Sequence, residues 1–197
     1  GGDTEVLITD VVSPEGISVD WINRRLYWAD RGKFSVSRSR LNGLETTVLI
    51  QDKLLQPRDV AVYPQAHTIF WTDVGIPVAV WRAGLDGEDR TVLIGSGLVS
   101  PCGITVDHNT HTLYWSDIGA GRIESAGLDG SHRHTLTHKQ VGHPFDIAVF
   151  EDTVWFSNWE DNHIYRLDKR TGSDVERLNV NSVQPASLII VHPLIKP

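Results

Sequence analysis

Tyr114-Trp115-Ser116-Asp117 stands thirteen residues after Pro101 and eleven before Leu128-Asp129-Gly130, and the same arrangement is met three more times in the chain. The matching tetrads are Tyr27-Trp28-Ala29-Asp30, Phe70-Trp71-Thr72-Asp73 and Trp155-Phe156-Ser157-Asn158. Pro14, Pro57, Pro101, Pro144 and Pro185 mark the repeat at intervals of 43, 44, 43 and 41 residues. A period near 40 is one supersecondary unit repeated, as in a solenoid or a propeller.

Within each period four short apolar runs recur, too short and too strictly alternating for a helix, so they read as strands. The first is Gly16 to Asp20, echoed by Asp59 to Tyr63, Gly103 to Asp107, Asp146 to Phe150 and Ser187 to Val191, and the second carries the tetrad. A third ends at Leu41, Leu85, Leu128 or Leu167 and runs into Asn42-Gly43, Asp86-Gly87, Asp129-Gly130 or Thr171-Gly172. Asn-Gly and Asp-Gly predict two-residue hairpin turns, because they supply positive φ. A fourth strand follows at Thr46 to Ile50, Thr91 to Ile94, Arg133 to Thr137 and Val175 to Leu178. Four antiparallel strands joined by tight turns make one propeller blade.

Tetrads of this kind at this spacing resemble the class B (YWTD) repeats of the low-density-lipoprotein receptor family, and the likeness covers essentially the whole chain. Finer phrases, including Pro14-Glu-Gly-Ile17, Val141-Gly-His-Pro-Phe145 and Lys169-Arg-Thr-Gly172, are most similar to the second propeller of the epidermal-growth-factor precursors. The resemblance implies an all-β, six-bladed propeller without enzymatic activity or cofactor. It also implies an extracellular placement in a multidomain, membrane-anchored protein of growth-factor-precursor type, with epidermal-growth-factor-like modules beside it and a protein partner; an endocytic receptor ectodomain that captures lipoprotein or matrix ligands is the alternative. The expected division is an edge strand at 4–8, blades at 14–56, 57–100, 101–143 and 144–184, and a closing inner strand at 186–191. On that count six strands, about 65 residues at five per strand plus turns, are expected upstream. A closed four-bladed ring is the competing reading.

Composition fits a single module. Hydrophobic residues make up 40% and charged ones 22% of 197, with no apolar run of about 18 residues to span a membrane. A formal net charge of −7 argues against nucleic acid and anionic membranes as partners. The lone Cys102 reads as a small packing side chain, or as a thiol whose partner lies in another module. No Asn-x-Ser/Thr sequon is present.

Asp30, Asp73, Asp117 and Asn158 suggest a carboxylate cluster, but they recur in separate blades, whereas acid–base pairs need proximity. They are expected to be inter-blade hydrogen-bond anchors, with Asn158 lacking a salt bridge that the others make. His132, His134 and His138 recur at even spacing on one expected strand, which raises a metal site or a pH sensor. No metal is expected, since same-face neighbours on a strand stand about 7 Å apart. Calcium-dependent lactonase-type propellers are the enzymatic alternative. They need acids at the channel, where this sequence is expected to bring Val19, Val62, Val106 and Val149.

Strand alternation sorts the loops into two faces. One carries Trp21, His67, His108, His111 and the Gly turns. The other carries Arg31, Lys33 and Phe34 after the first tetrad, Val74 and Ile76 after the second, Ile118 after the third and Trp159 after the fourth, with Glu15, Arg58 and Phe145 beside the prolines. Aromatics and arginines among charges mark this second face as the candidate binding surface.

Overall fold

A computed structural model describes residues 4–137, 141–178 and 185–191. It contains four four-stranded antiparallel sheets. The first comprises β1 (Pro14–Asp20), β2 (Arg25–Asp30), β3 (Ser35–Arg40) and β4 (Thr47–Ile50). The second comprises β5 (Pro57–Tyr63), β6 (Thr68–Asp73), β7 (Ala79–Gly84) and β8 (Thr91–Ile94). The third runs through β9 (Pro101–Asp107), β10 (Thr112–Asp117), β11 (Arg122–Gly127) and β12 (His134–Thr135), and the fourth through β13 (Pro144–Phe150), β14 (Thr153–Asn158), β15 (His163–Asp168) and β16 (Glu176–Leu178). Strands pair in chain order within each sheet, and β1 packs on β5, β5 on β9 and β9 on β13, so the sheets stand as successive blades with their first strands innermost. Among the described residues no helix is long and apolar enough to cross a membrane.

The tetrad builds both faces of a blade because side chains alternate along a strand. Its first residue points forward and its second backward. Tyr27 shares a buried cluster with Ile69 and Trp71 of the next blade, Phe70 with Leu113 and Trp115, and Tyr114 with Val154 and Phe156. Trp71, Trp115, Phe70 and Phe156 are fully buried. Truncating any of them to Ala would cost about 3–5 kcal/mol.

Each inner strand pairs its proline with the tetrad's last residue: Pro14 with Asp30, Pro57 with Asp73, Pro101 with Asp117 and Pro144 with Asn158. The register then shifts, leaving Glu15, Arg58, Cys102 and Phe145 outside the ladder. Such an irregularity re-aims a side chain. Here it turns the residue after each proline toward the mouth of the central channel.

The hairpins between third and fourth strands differ from the expected two-residue form. Gly43, Gly87 and Gly130 donate to the carbonyls of Arg40, Gly84 and Gly127, so each glycine follows a turn whose central pairs are Leu41-Asn42, Leu85-Asp86 and Leu128-Asp129. Glycine is demanded twice over. Its φ is +79°, +91° and +84° at these three positions, and a Cβ there would run into the backbone carbonyl of Leu7, Leu49 or Leu93 in the blade before. Leu7 thus stands where Leu49 and Leu93 stand, in the place of an outer strand, although 4–8 forms no assigned ladder. Residues 185–191 likewise form none, but the Leu188 amide donates to Asp146 Oδ2 at 2.6 Å as the Ile104 amide does to Asp59 Oδ2 at 2.8 Å. The apolar side chains of Ile17 and Ile189, at the two ends of the arc, are 63% and 84% exposed. Residues 179–184, inside the expected fourth unit, lie outside the described residues.

Candidate protein-binding face

The tetrad acids hold the loop that enters their own blade. Asp30 accepts from the amides of Val12, Ser13 and Lys33 at 2.9, 2.9 and 3.1 Å. Asp73 accepts from Leu55, Gln56 and Gly75, and Asp117 from Val99, Ser100 and Ala120. Their partners are therefore backbone amides, and the salt bridge expected at these positions is not what holds them. Asn158 keeps one acceptor, for the amides of His143 and Glu160 at 3.0 Å each. Burial raises the Asp30 carboxyl, yet the amides of Val12 and Ser13, with those of Lys33 and Gly32, outweigh it and leave Asp30 below the usual carboxylate range.

A second device, one residue earlier in the tetrad, carries the contact between blades. Thr72 Oγ1 accepts from the Asp59 amide of its own blade and donates to the Cys102 carbonyl of the next at 2.6 Å. Ser116 does the same between the Gly103 amide and the Phe145 carbonyl. Blade one has Ala29 here and lacks the hydroxyl. In the sequence this device is marked by the hydroxyls of Thr72, Ser116 and Ser157.

The four expected valines, Val19, Val62, Val106 and Val149, line the channel, Val62 and Val106 with little exposed surface. Asp59 and Asp146, which the sequence reading did not place there, line it beside them. Each carboxylate is taken up by two amides: Asp59 by Val60 and Ile104, Asp146 by Ile147 and Leu188. Burial, and then the charge of Asp146, hold Asp59 well above the usual carboxylate range, and burial also raises Asp146. Across the blade interfaces they face Gly16 and Gly103, where a Cβ would strike them.

At the channel mouth five of the expected surface residues come together. Glu15 pairs with Arg31 of its own blade at 2.9 Å and with Arg58 of the next at 2.9 Å. The Arg58 guanidinium lies 5.7 Å from the Phe145 ring centre, and Phe145 stacks on Trp159 at 3.9 Å and 13°. Trp159 donates its indole N–H to the Pro185 carbonyl at 3.2 Å and is partly exposed. This reach from blade two to blade four crosses blade three, whose equivalent residue is the small Cys102. Cys102 is buried on β9 beneath the array, and burial raises its thiol against the pull of Arg58. The structure does not bring the remaining candidates into this array. Lys33 pairs with Asp10 at 2.5 Å, Phe34 is half exposed, and Val74 and Ile118 are partly buried in their own loops.

On the opposite face Trp21 meets His108 edge-on at 4.6 Å, Tyr63 stacks on His108 at 5.4 Å, and Tyr63 Oη lies 2.6 Å from His111 Nδ1. Burial, with a smaller contribution from His111, pushes the His108 imidazole below its ordinary value against the pull of Asp107. Of the expected histidine row, two members lie among the described residues. His132 sits in a turn at φ +52°, only His134 lies on β12, and His138 is outside the described residues. Among the described residues no group of three metal-binding side chains occurs.

The sequence pattern of the family "Low-density lipoprotein receptor repeat class B" matches residues 24–64, 67–108 and 111–151. The vitellogenin receptor of Solenopsis invicta is 33% identical over 192 residues, 98% of this chain and 11% of that protein. The vitellogenin receptor Yl of Drosophila melanogaster is 30% identical over 198 residues, 100% of this chain and 10% of that protein. The chain thus spans about a tenth of the length of these relatives. In a nidogen/laminin complex a solved chain superposes with a TM-score of 0.65 at 23% identity, over 84% of this chain and 78% of that one. A gluconolactonase from Xanthomonas campestris gives 0.74 at 20% identity, over 90% and 66%. At these identities the two structures speak for the propeller fold alone.

Proposed function

The chain belongs to the low-density-lipoprotein receptor class B repeat family and is an extracellular module, and from that premise we propose that it is a non-enzymatic protein-binding unit of a membrane-anchored receptor ectodomain. Its binding surface is the mouth array Arg31–Glu15–Arg58–Phe145–Trp159. The observation that carries this reading is the array itself, since it joins residues from three blades in a solvent-reached cluster of the side-chain types that dominate protein interfaces. The carboxylates that come nearest to an enzyme-like site, Asp59 and Asp146, are each engaged by two backbone amides. The relatives named vitellogenin receptors support a parent that takes up a vitellogenin-type ligand. The phrase Val141-Gly-His-Pro-Phe145, which supplies the stacked Phe145, supports a growth-factor precursor as the second reading. Six-cysteine modules flanking the chain are expected under both readings, and a growth-factor module in the same parent decides for the second.

In the complete propeller, Trp159→Ala and Arg58→Glu should weaken vitellogenin binding about tenfold or more, the cost of truncating an interface anchor. Each should lower stability by only about 1 kcal/mol, the worth of an aromatic stack or a solvent-reached ion pair. Trp21→Ala and His111→Ala, on the other face, should bind as the wild type does. Loss of ligand in the second pair with retention in the first shows that the opposite face binds.

A further inference from the structure

Two guanidiniums at the channel mouth share a single carboxylate. Glu15 Oε1 lies 2.9 Å from Arg31 Nε, and Glu15 Oε2 lies 2.9 Å from Arg58 Nη1. Arg58 Nε is buried without a hydrogen-bond partner, and 47% of the Arg31 side chain remains open to solvent. Lys33, the other base of this loop, is matched by Asp10. The cluster therefore carries one positive charge more than it answers. Arginine forks match carboxylates geometrically as well as electrically.

We propose that Arg31 and Arg58 form a carboxylate clamp, closed here on the chain's own Glu15, and that the partner of this face is an acidic extended protein segment whose Asp or Glu side chain takes the place of Glu15. The proposal rests on the binding-face reading above and narrows its partner. Trp159, partly exposed where it stacks on Phe145, offers a flat apolar seat for the residue next to the ligand's acid. Exchanging one carboxylate for another gains little net energy, and Glu15 acts as a built-in competitor that lowers apparent affinity by the fraction of time it holds the clamp. Its two solvent-reached ion pairs together are worth a factor of about ten.

The test uses the full ectodomain and two fluorescein-labelled dodecapeptides, one alternating Asp and Leu and its twin alternating Asn and Leu, read by anisotropy at low and high salt. The Asp peptide should bind at least about tenfold tighter than its twin at low salt and lose that advantage at high salt. Glu15→Gln should tighten the Asp peptide about tenfold and leave the Asn peptide unchanged. Arg58→Gln should abolish the preference, with Arg31→Gln, in an exposed loop, as the second variant if Arg58→Gln fails to fold. Equal binding of the two peptides, or a Glu15→Gln protein that binds the Asp peptide no better than the wild type, overturns the clamp. If Trp159→Ala weakens the protein ligand while Arg58→Gln and Arg31→Gln leave it untouched, the clamp is wrong and the binding face stands. If none of the three matters, both are wrong.

Discussion

Replacing Asp73 by Ala removes the acceptor for three amides at once. Gly75 N–H, at 2.8 Å, is in a buried contact, whereas Gln56 at 2.8 Å and Leu55 at 3.2 Å are in partly buried ones that water can reach after the change. A buried amide left without a partner costs about 1–3 kcal/mol, and the two partly buried amides add about 0.5 each, so the loss is about 3 kcal/mol. That is about a hundredfold in the folded-to-unfolded ratio, or about 6–12 °C in melting temperature for a domain of this size. Asp73→Asn is the informative control. Asn158 shows that an amide oxygen in this place still serves two N–H groups, so Asp73→Asn should keep Gln56 and Gly75, lose Leu55 and cost about 1 kcal/mol. Both numbers are read from thermal and urea melts of the full ectodomain, with secreted yield as a second measure, because destabilisation of this size lowers abundance. If both variants melt and secrete like the wild type yet fail to bind ligand, Asp73 is a contact for the partner and the anchoring argument is refuted.

Acid should act on this fold in two opposite ways. Asp59 is raised by burial and by Asp146, so its ionised form costs stability at neutral pH, and that cost is relieved as pH falls through its folded value toward the ordinary value of about 3.9. Asp30 and Asp107 are held low in the folded chain, so their contribution is present above the ordinary value and lost below it. His108, held below its ordinary value by burial, loses stability over the same mildly acidic range, so the Asp59 contribution is read as a difference: on mild acidification the wild type should gain melting temperature relative to Asp59→Asn, and both should fall below about pH 4; a wild type that loses as much as Asp59→Asn over that range contradicts the sign argued for Asp59. Cys102, buried with a raised thiol, should resist maleimide in the native ectodomain and react fully in urea, and rapid native labelling contradicts its placement under the Arg58–Phe145 contact. Thr72→Val deletes the hydroxyl between Asp59 N–H and the Cys102 carbonyl and should cost about 1–3 kcal/mol in a urea melt, whereas Thr72→Ser should be near neutral.

The repeat, the strand order and the two-sided use of each tetrad are legible in the sequence because they depend on period and alternation, which are local. The partners of the tetrad acids are not. Their donors are backbone amides some 17 residues upstream, and every residue type except proline carries one, so composition leaves no trace of them. The turn chemistry fails for a related reason: Asp-Gly signals positive φ, but whether glycine sits within the turn or after it depends on the approach of the preceding blade, which only the packed structure fixes.

The channel mouth shows where reading one repeat at a time stops and reading the column of equivalent positions begins. Glu15, Arg58, Cys102, Phe145 and Ala186 are the residues that follow the five prolines, and taken singly none is informative. Placed side by side around an axis, they put an acid beside a base and a small residue between the base and an aromatic, which is the arrangement that lets Arg58 reach Phe145. The same column one residue on reads Gly16, Asp59, Gly103, Asp146 and Ser187, and each Gly faces the following Asp because only Gly leaves room for it. Departures from the repeat therefore carry the functional information, since the repeated positions are fixed by blade packing and are the same in every blade. What distinguishes this propeller from another with the same tetrads must lie in the few columns where its blades disagree, and the column after the prolines is the one whose side chains reach solvent at the mouth.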